Sequence, residues 1–194
     1  MRPPLDTPED MLPGESVAAL LRPESMLDPS PTPREMSCRA FRDALGGFAT
    51  GVTVLTALAP DGQPVGVTIS SFNSVSLQPP LILWSLACSS PRLEAFRRAR
   101  HYAVNVLAAD QEWISDRFAS PDPDRFAGVR TIVGIGGVPL LDACAASFEC
   151  SSEAHYPGGD HVIFLGRVRR FSRNELAEPL IFHAGRYRVL GDGS

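Results

Sequence analysis

The sequence lacks any apolar run approaching the ~20 residues that cross a bilayer, so no membrane span is expected. Residues 1–21 carry prolines and acids where a secretory signal would need a basic start and an apolar centre, and the expected location is the cytoplasm. Basic clusters are scarce: Arg97, Arg98 and Arg100 form one local concentration, and the net charge is −4. That balance argues against nucleic acid as the main partner and leaves small molecules as the default ligand class. The four cysteines, Cys38, Cys88, Cys144 and Cys150, show no paired metal-ligand spacing. They read as reduced structural thiols, two or three of them buried, and no metal is expected.

What is present is unevenly spread. Eight of the 18 prolines fall within the first 33 residues, so residues 1–36 read as an arm, partly disordered or wrapped round a partner. Within it, residues 16–21 are amphipathic enough to dock as a turn or two of helix. Residues 37–192 have the composition of one packed domain.

Its pattern is mainly β. Residues 37–48 predict a helix, with Phe41, Leu45 and Phe48 on one face and Gly46-Gly47 near its end. Residues 51–58 and 65–71 predict an antiparallel pair across Asp61-Gly62. Strands are expected at 81–87 and 101–107, with a helix over 91–100 that Ser90 caps and Pro91 opens. A second amphipathic helix is expected at 109–119. A long hairpin, 145–155 with 161–171, turns at Pro157-Gly158-Gly159-Asp160, and residues 180–190 supply the last strand or strands. About seven antiparallel strands with a few peripheral helices predict a barrel with Greek-key topology.

Residues 48–90 are the most informative, because they are strands strung with small hydroxyl residues and present no constellation of nucleophile, base and metal ligand. Such a segment suits a site that holds a flat, polar cofactor and leaves the chemistry to it. Thr68, Ser70, Ser71, Ser74 and Ser76 offer hydroxyls, although strand alternation lets only half of them reach one ligand. Ser89 and Ser90 precede an expected helix N-terminus, where free N–H groups favour phosphate, and Arg92 adds charge. Ser90 reads equally as a plain cap. Gly51, without a side chain, permits close approach.

Six segments carry a resemblance: ATGVTVLT (49–56), TISSFNSVSLQPPLIL (68–83), YAVNVL (102–107), DRFAGV (124–129), GDH (159–161) and GRYRVL (185–190). Their order and spacing resemble those of the short-chain flavin reductase family over about residues 37–190. The resemblance implies an FMN-binding split β-barrel and a homodimer with flavin at the subunit interface. It also implies a partner, a flavin-dependent monooxygenase that receives the reduced flavin. Thr50, Gly51 and Val52 resemble the family's first flavin-contacting strand, with ordinary β-branched packing as the alternative. Thr68, Ile69, Ser70, Ser71 and Ser74 would line the flavin, and Ser89, Ser90 and Arg92 would take its phosphate. Arg125 and Phe126 resemble a segment lining the flavin pocket; Arg125 pairing with Asp122 or Asp124 is the alternative. His161 resembles the family's histidine beside the flavin, where the nicotinamide stacks, and is the catalytic candidate; a polar residue that merely flanks the hairpin turn is the alternative. Tyr187 resembles an aromatic near the nicotinamide, and a packed barrel tyrosine is an equal reading. Ile69 stands where many members carry a smaller residue, and His183 where an aromatic is common.

The expected activity is an NAD(P)H:flavin oxidoreductase that moves hydride from NADH, or NADPH, to FMN or FAD. No GxGxxG signature is present, so nicotinamide choice cannot be read from an acidic Rossmann residue. NADH is favoured because no pair of arginines stands out as a 2′-phosphate clamp. The alternatives are a flavoprotein that keeps its flavin and reduces another acceptor, and a non-catalytic flavin- or haem-binding split-barrel protein.

Overall fold

A computed structural model describes residues 38–191, so the expectations for the proline-rich arm lie outside the described residues. The chain divides into two units, residues 1–41 and 42–194; the sheets and cavities below belong to the second.

Helix α1 (Cys38–Leu45) stops where Gly46 and Gly47 follow, three residues short of the expected end. Two successive glycines gain no packing from a helix and lose the most backbone freedom in it. Phe48 therefore lies beyond the helix, 75% exposed. The single strand expected at 51–58 is two, β1 (Thr50–Gly51) and β2 (Thr53–Leu58). Between them Val52 donates its N–H to the Leu180 carbonyl and accepts from the Leu107 N–H, so the chain changes sheets there.

β3 (Pro64–Ile69) returns beside β2 after Gly62, whose φ of +81° suits the turn. β4 (Asn73–Leu77) and β5 (Pro80–Ala87) form the next pair, of which β4 was not anticipated. The helix expected at 91–100 is the six-residue α2 (Leu93–Arg98), because residues 91 and 92 form a turn. Then come β6 (His101–Val106), α3 (Glu112–Ala119), a short hairpin of β7 (Thr131–Val133) and β8 (Pro139–Leu141), and two 13-residue strands, β9 (Ala146–Gly158) and β10 (His161–Arg173). The turn between β9 and β10 is only Gly159-Asp160, with Gly158 already paired to His161. A two-residue hairpin loop needs a positive φ, which Gly159 supplies at +71°. β11 (Ile181–His183) and β12 (Arg186–Arg188) end the described chain.

Seven strands form one antiparallel sheet in the order β3-β2-β6-β9-β10-β5-β4, and β1-β11-β12 form a second. The fold is mainly β with peripheral helices, as expected, but the large sheet does not close into a hydrogen-bonded barrel. β3 and β4 are its two edges. At the corner between them the Ser71 hydroxyl replaces a ladder: it donates to the Ser85 carbonyl and accepts from the Ser85 N–H, both at 3.0 Å.

Curvature does what closure does not. Leu55 of β2, Tyr102 of β6, Phe164 of β10 and Trp84 of β5 share one core although four ladder steps separate β2 from β5. Trp84 stacks on Phe164 at 4.1 Å and meets Phe96 of α2 edge-on at 5.1 Å. On the other face, Val52, Val54, Leu107 and Leu180 pack with Ile114 and Phe118 of α3. β2 is thus buried on both sides, and the hydroxyls of its Thr53 and Thr56 donate to the Ile69 and Pro139 carbonyls.

Candidate functional site

Edge strand β3 has three cavities along or beside it. The largest, about 580 Å³, is lined by Leu45, Phe48, Thr50, Ser70 and Phe182, with the charged Arg42 and Asp43 beside them. A second, about 250 Å³, is walled by Val52, Thr68, Ile69, Ser70, Phe182 and Tyr187. Ser70 and Phe182 line both, so the two form one groove. Its walls are apolar and aromatic, and the hydroxyls of Thr50 and Ser70 have no partner among the described residues. A flat heteroaromatic ring with polar edges suits such a lining.

The third cavity, about 190 Å³, lies further down β3, where Val65 and Gly66 face Arg92, Arg125 and Phe126. Gly66 and Ser70 stand four residues apart, roughly 13 Å along an extended strand. Arg125 is only 6% exposed, its Nε is buried without a partner, and no carboxylate pairs with it among the described residues. Arg92 is likewise unpaired, and partial burial pulls its guanidinium below the usual value. Arg125, buried, and Arg92, partly buried, have no carboxylate partner among the described residues, a state that favours binding of an anion. Phe126 turns one ring edge onto Phe118 at 4.9 Å and borders the cleft.

Thr50, Val52, Thr68, Ile69, Ser70 and Tyr187 therefore come together, as do Arg92, Arg125 and Phe126. Thr68 is already committed, its Oγ1 donating to the Ser115 carbonyl at 2.7 Å. Ser71 is spent on β5, as described. Ser90 accepts the Arg92 N–H at 3.3 Å and does not cap α2, so the helix-dipole argument for phosphate gives way to the arginines. Ser89 is exposed and unbonded, Ser74 is exposed on edge strand β4, and Gly51 has open space where a Cβ would stand; none lines the three cavities. His161 is also outside them. Its side chain is 44% exposed and its Nδ1 lies 2.7 Å from the Asp160 carboxylate. The Cys88 N–H donates to the Asp160 carbonyl at 2.8 Å, so the hairpin tip bearing His161 is tied to the loop of Ser89 and Ser90.

Residues 45–191 match the model of the flavin reductase like domain. The chain belongs to that family. It is 46% identical over 149 residues to the FMN reductase (NADH) SmoA of Agrobacterium fabrum, covering 77% of this chain and 84% of the relative. It is 42% identical over 149 residues to HsaB, the reductase subunit of a flavin-dependent monooxygenase of Rhodococcus jostii, covering 77% and 76%. Among solved structures, the NADH:FAD oxidoreductase SgcE6 of Streptomyces globisporus, in complex with NAD and FAD fragments, is similar with a TM-score of 0.75. It is 37% identical and covers 79% of this chain and 93% of that one.

In this flavin reductase-like chain, sequence reasoning missed Phe182 and Phe48, the rings that narrow the groove, and Ser115 and Asp116, which hold Tyr187. The Tyr187 oxygen lies 2.8 Å from Ser115 Oγ and 2.7 Å from Asp116 Oδ1, and its ring meets Phe182 edge-on at 5.6 Å. Burial foremost, with Asp116 adding to it, holds the Tyr187 phenol above its usual value, so the proton stays on. Phe182 follows a short apolar stretch with no motif of its own, and only the pairing of β1 with β11 brings it opposite Thr50.

Proposed function

We propose that the protein is an NADH-dependent flavin reductase that binds FMN along β3, with the ring in the groove beside Ser70 and the phosphate at Arg92 and Arg125. The buried, unpaired Arg125 carries this reading, because a cation in that state gains most from a phosphate. A bound flavin supplies the two-electron-accepting ring. The chain supplies the rest: Phe182 and Tyr187 wall the ring, Thr50 and Ser70 offer free hydroxyls to its polar edge, and the arginines fix the far end. No acid or base is required of the protein in the transfer itself, so its contribution is alignment and exclusion of water. His161 favours the stacked complex with the nicotinamide. The relatives named above support NADH as donor and a flavin-dependent monooxygenase as recipient of the reduced flavin. A cytoplasmic setting agrees with consumption of reduced nicotinamide and with four free cysteines.

A homodimer completes the reading. On β5 and β10, Leu81, Leu83, Ile163 and Leu165 point away from the Trp84 and Phe164 core and belong to neither apolar cluster, which leaves a half-exposed apolar face for a second copy. Light scattering is expected to give twice the 20.9 kDa chain mass. Purified protein is expected to oxidise NADH only when FMN is added or retained. NADH oxidation that ignores added flavin, in protein that carries none, would overturn the assignment.

A further inference from the structure

We propose that Ser115 is a positioning residue that sets the width of the cavity between β3 and β12, and thereby how tightly a flat ring is held there; this rests on reading that groove as the flavin slot. Ser115 lies on α3 and is fully buried. Its carbonyl accepts from Thr68 Oγ1 at 2.7 Å, and its hydroxyl lies 2.8 Å from the Tyr187 oxygen. Thr68 from β3 and Tyr187 from β12 line the same cavity, and Ser115 lines it with them. One residue of a third element is therefore hydrogen-bonded to both walls.

Proton accounting makes the bracket directional. A phenol has one proton, and the Asp116 carboxylate, 2.7 Å away, can only accept it. The Ser115 O–H is then left to donate to the Tyr187 oxygen. With both its donor and its acceptor capacity used on α3, the Tyr187 hydroxyl is not left to bond a ligand, which meets the tyrosine as a ring. The ring is held edge-on to Phe182. Loss of the Ser115 hydroxyl leaves Tyr187 held by Asp116 alone while Thr68 keeps its acceptor, so one wall loosens and the other stays.

The test measures FMN affinity by quenching of flavin fluorescence without NADH, beside the melting temperature of the flavin-free protein. Ser115→Ala and Tyr187→Phe are each expected to weaken FMN binding by about two- to tenfold, the loss that one net hydrogen bond represents. The double variant is expected to be no worse than Tyr187→Phe alone, since loss of the phenol oxygen already removes the bond that Ser115→Ala removes. Tyr187→Phe, at a partly exposed position, keeps the test open if Ser115→Ala folds poorly. Unchanged FMN affinity in both variants, with only a lower melting temperature, would overturn the proposal. Ser70→Trp fills the groove where the two cavities meet and is expected to abolish binding. If Ser70→Trp binds FMN normally, the slot itself is misplaced; if it blocks binding while Ser115→Ala and Tyr187→Phe do not weaken it, only the Ser115 inference fails.

Discussion

Arg125→Met should move stability and affinity in opposite directions. Methionine keeps the apolar stem of the arginine, a residue only 6% exposed, and removes a guanidinium whose Nε is buried without a partner and which pairs with no carboxylate among the described residues. In the flavin-free protein that guanidinium is a buried, uncompensated cation, and its removal relieves about 1 kcal/mol or more of desolvation. At a few degrees per kcal/mol for a chain of this size, the melting temperature should rise by roughly 2–4 °C. With FMN the sign reverses. A charge-assisted hydrogen bond is worth about 1.5–3 kcal/mol, so FMN affinity should fall roughly 10- to 150-fold. Riboflavin has the same ring and no phosphate, and its affinity should hardly change. Calorimetric melting of the flavin-free protein and parallel titrations with FMN and riboflavin read all three quantities. A lower melting temperature together with equal losses for FMN and riboflavin would refute the anion cleft and return Arg125 to a packing role.

Gly166→Ala tests the curved core: a Cβ there would stand 1.9 Å from the Tyr102 hydroxyl and 2.8 Å from its ring, beside a β9–β10 ladder with little room to move. We expect a loss of about 3 kcal/mol, the upper end for overpacking, and a melting temperature lower by roughly 6–12 °C; an unchanged transition would mean that the core yields. His161→Ala should keep flavin affinity and slow anaerobic reduction by NADH about tenfold to a hundredfold, or 1.4–2.8 kcal/mol, with dithionite reduction as control; an unchanged rate would leave His161 a turn residue. Burial pushes the Cys144 and Cys150 thiols up to about 12. Because the native values are raised, the stability they contribute is complete below the unfolded thiol value of about 8.5 and is lost as pH climbs towards 12. At pH 8 an aromatic disulfide reagent should reach exposed Cys38 and Cys88 quickly and the two buried thiols only after denaturant; one common rate for all four would contradict the burial.

The sequence by itself determined the class of fold and the neighbourhood of the site, because both reside in local signals. Strand alternation, the Asp61-Gly62 and Gly159-Asp160 turns and the hydroxyl run of residues 68–76 need no distant partner to be read. The same locality explains the misplaced details. An apolar stretch at 51–58 does not reveal that its strand changes sheets at Val52, since that depends on where Leu107 and Leu180 offer backbone partners. Strand β4, polar and exposed on an edge, carries too little burial to mark itself. Periodicity could say that Ser70, Ser71 and Ser74 cannot all serve one ligand, but only the corner at β5 assigned Ser71 to structure and left Ser70 in the groove. Arg125 could have been an ordinary surface ion pair with Asp122 or Asp124. Its burial without either, in the same cleft as Arg92 beside β3, is a tertiary fact, and the proposed phosphate site rests on it.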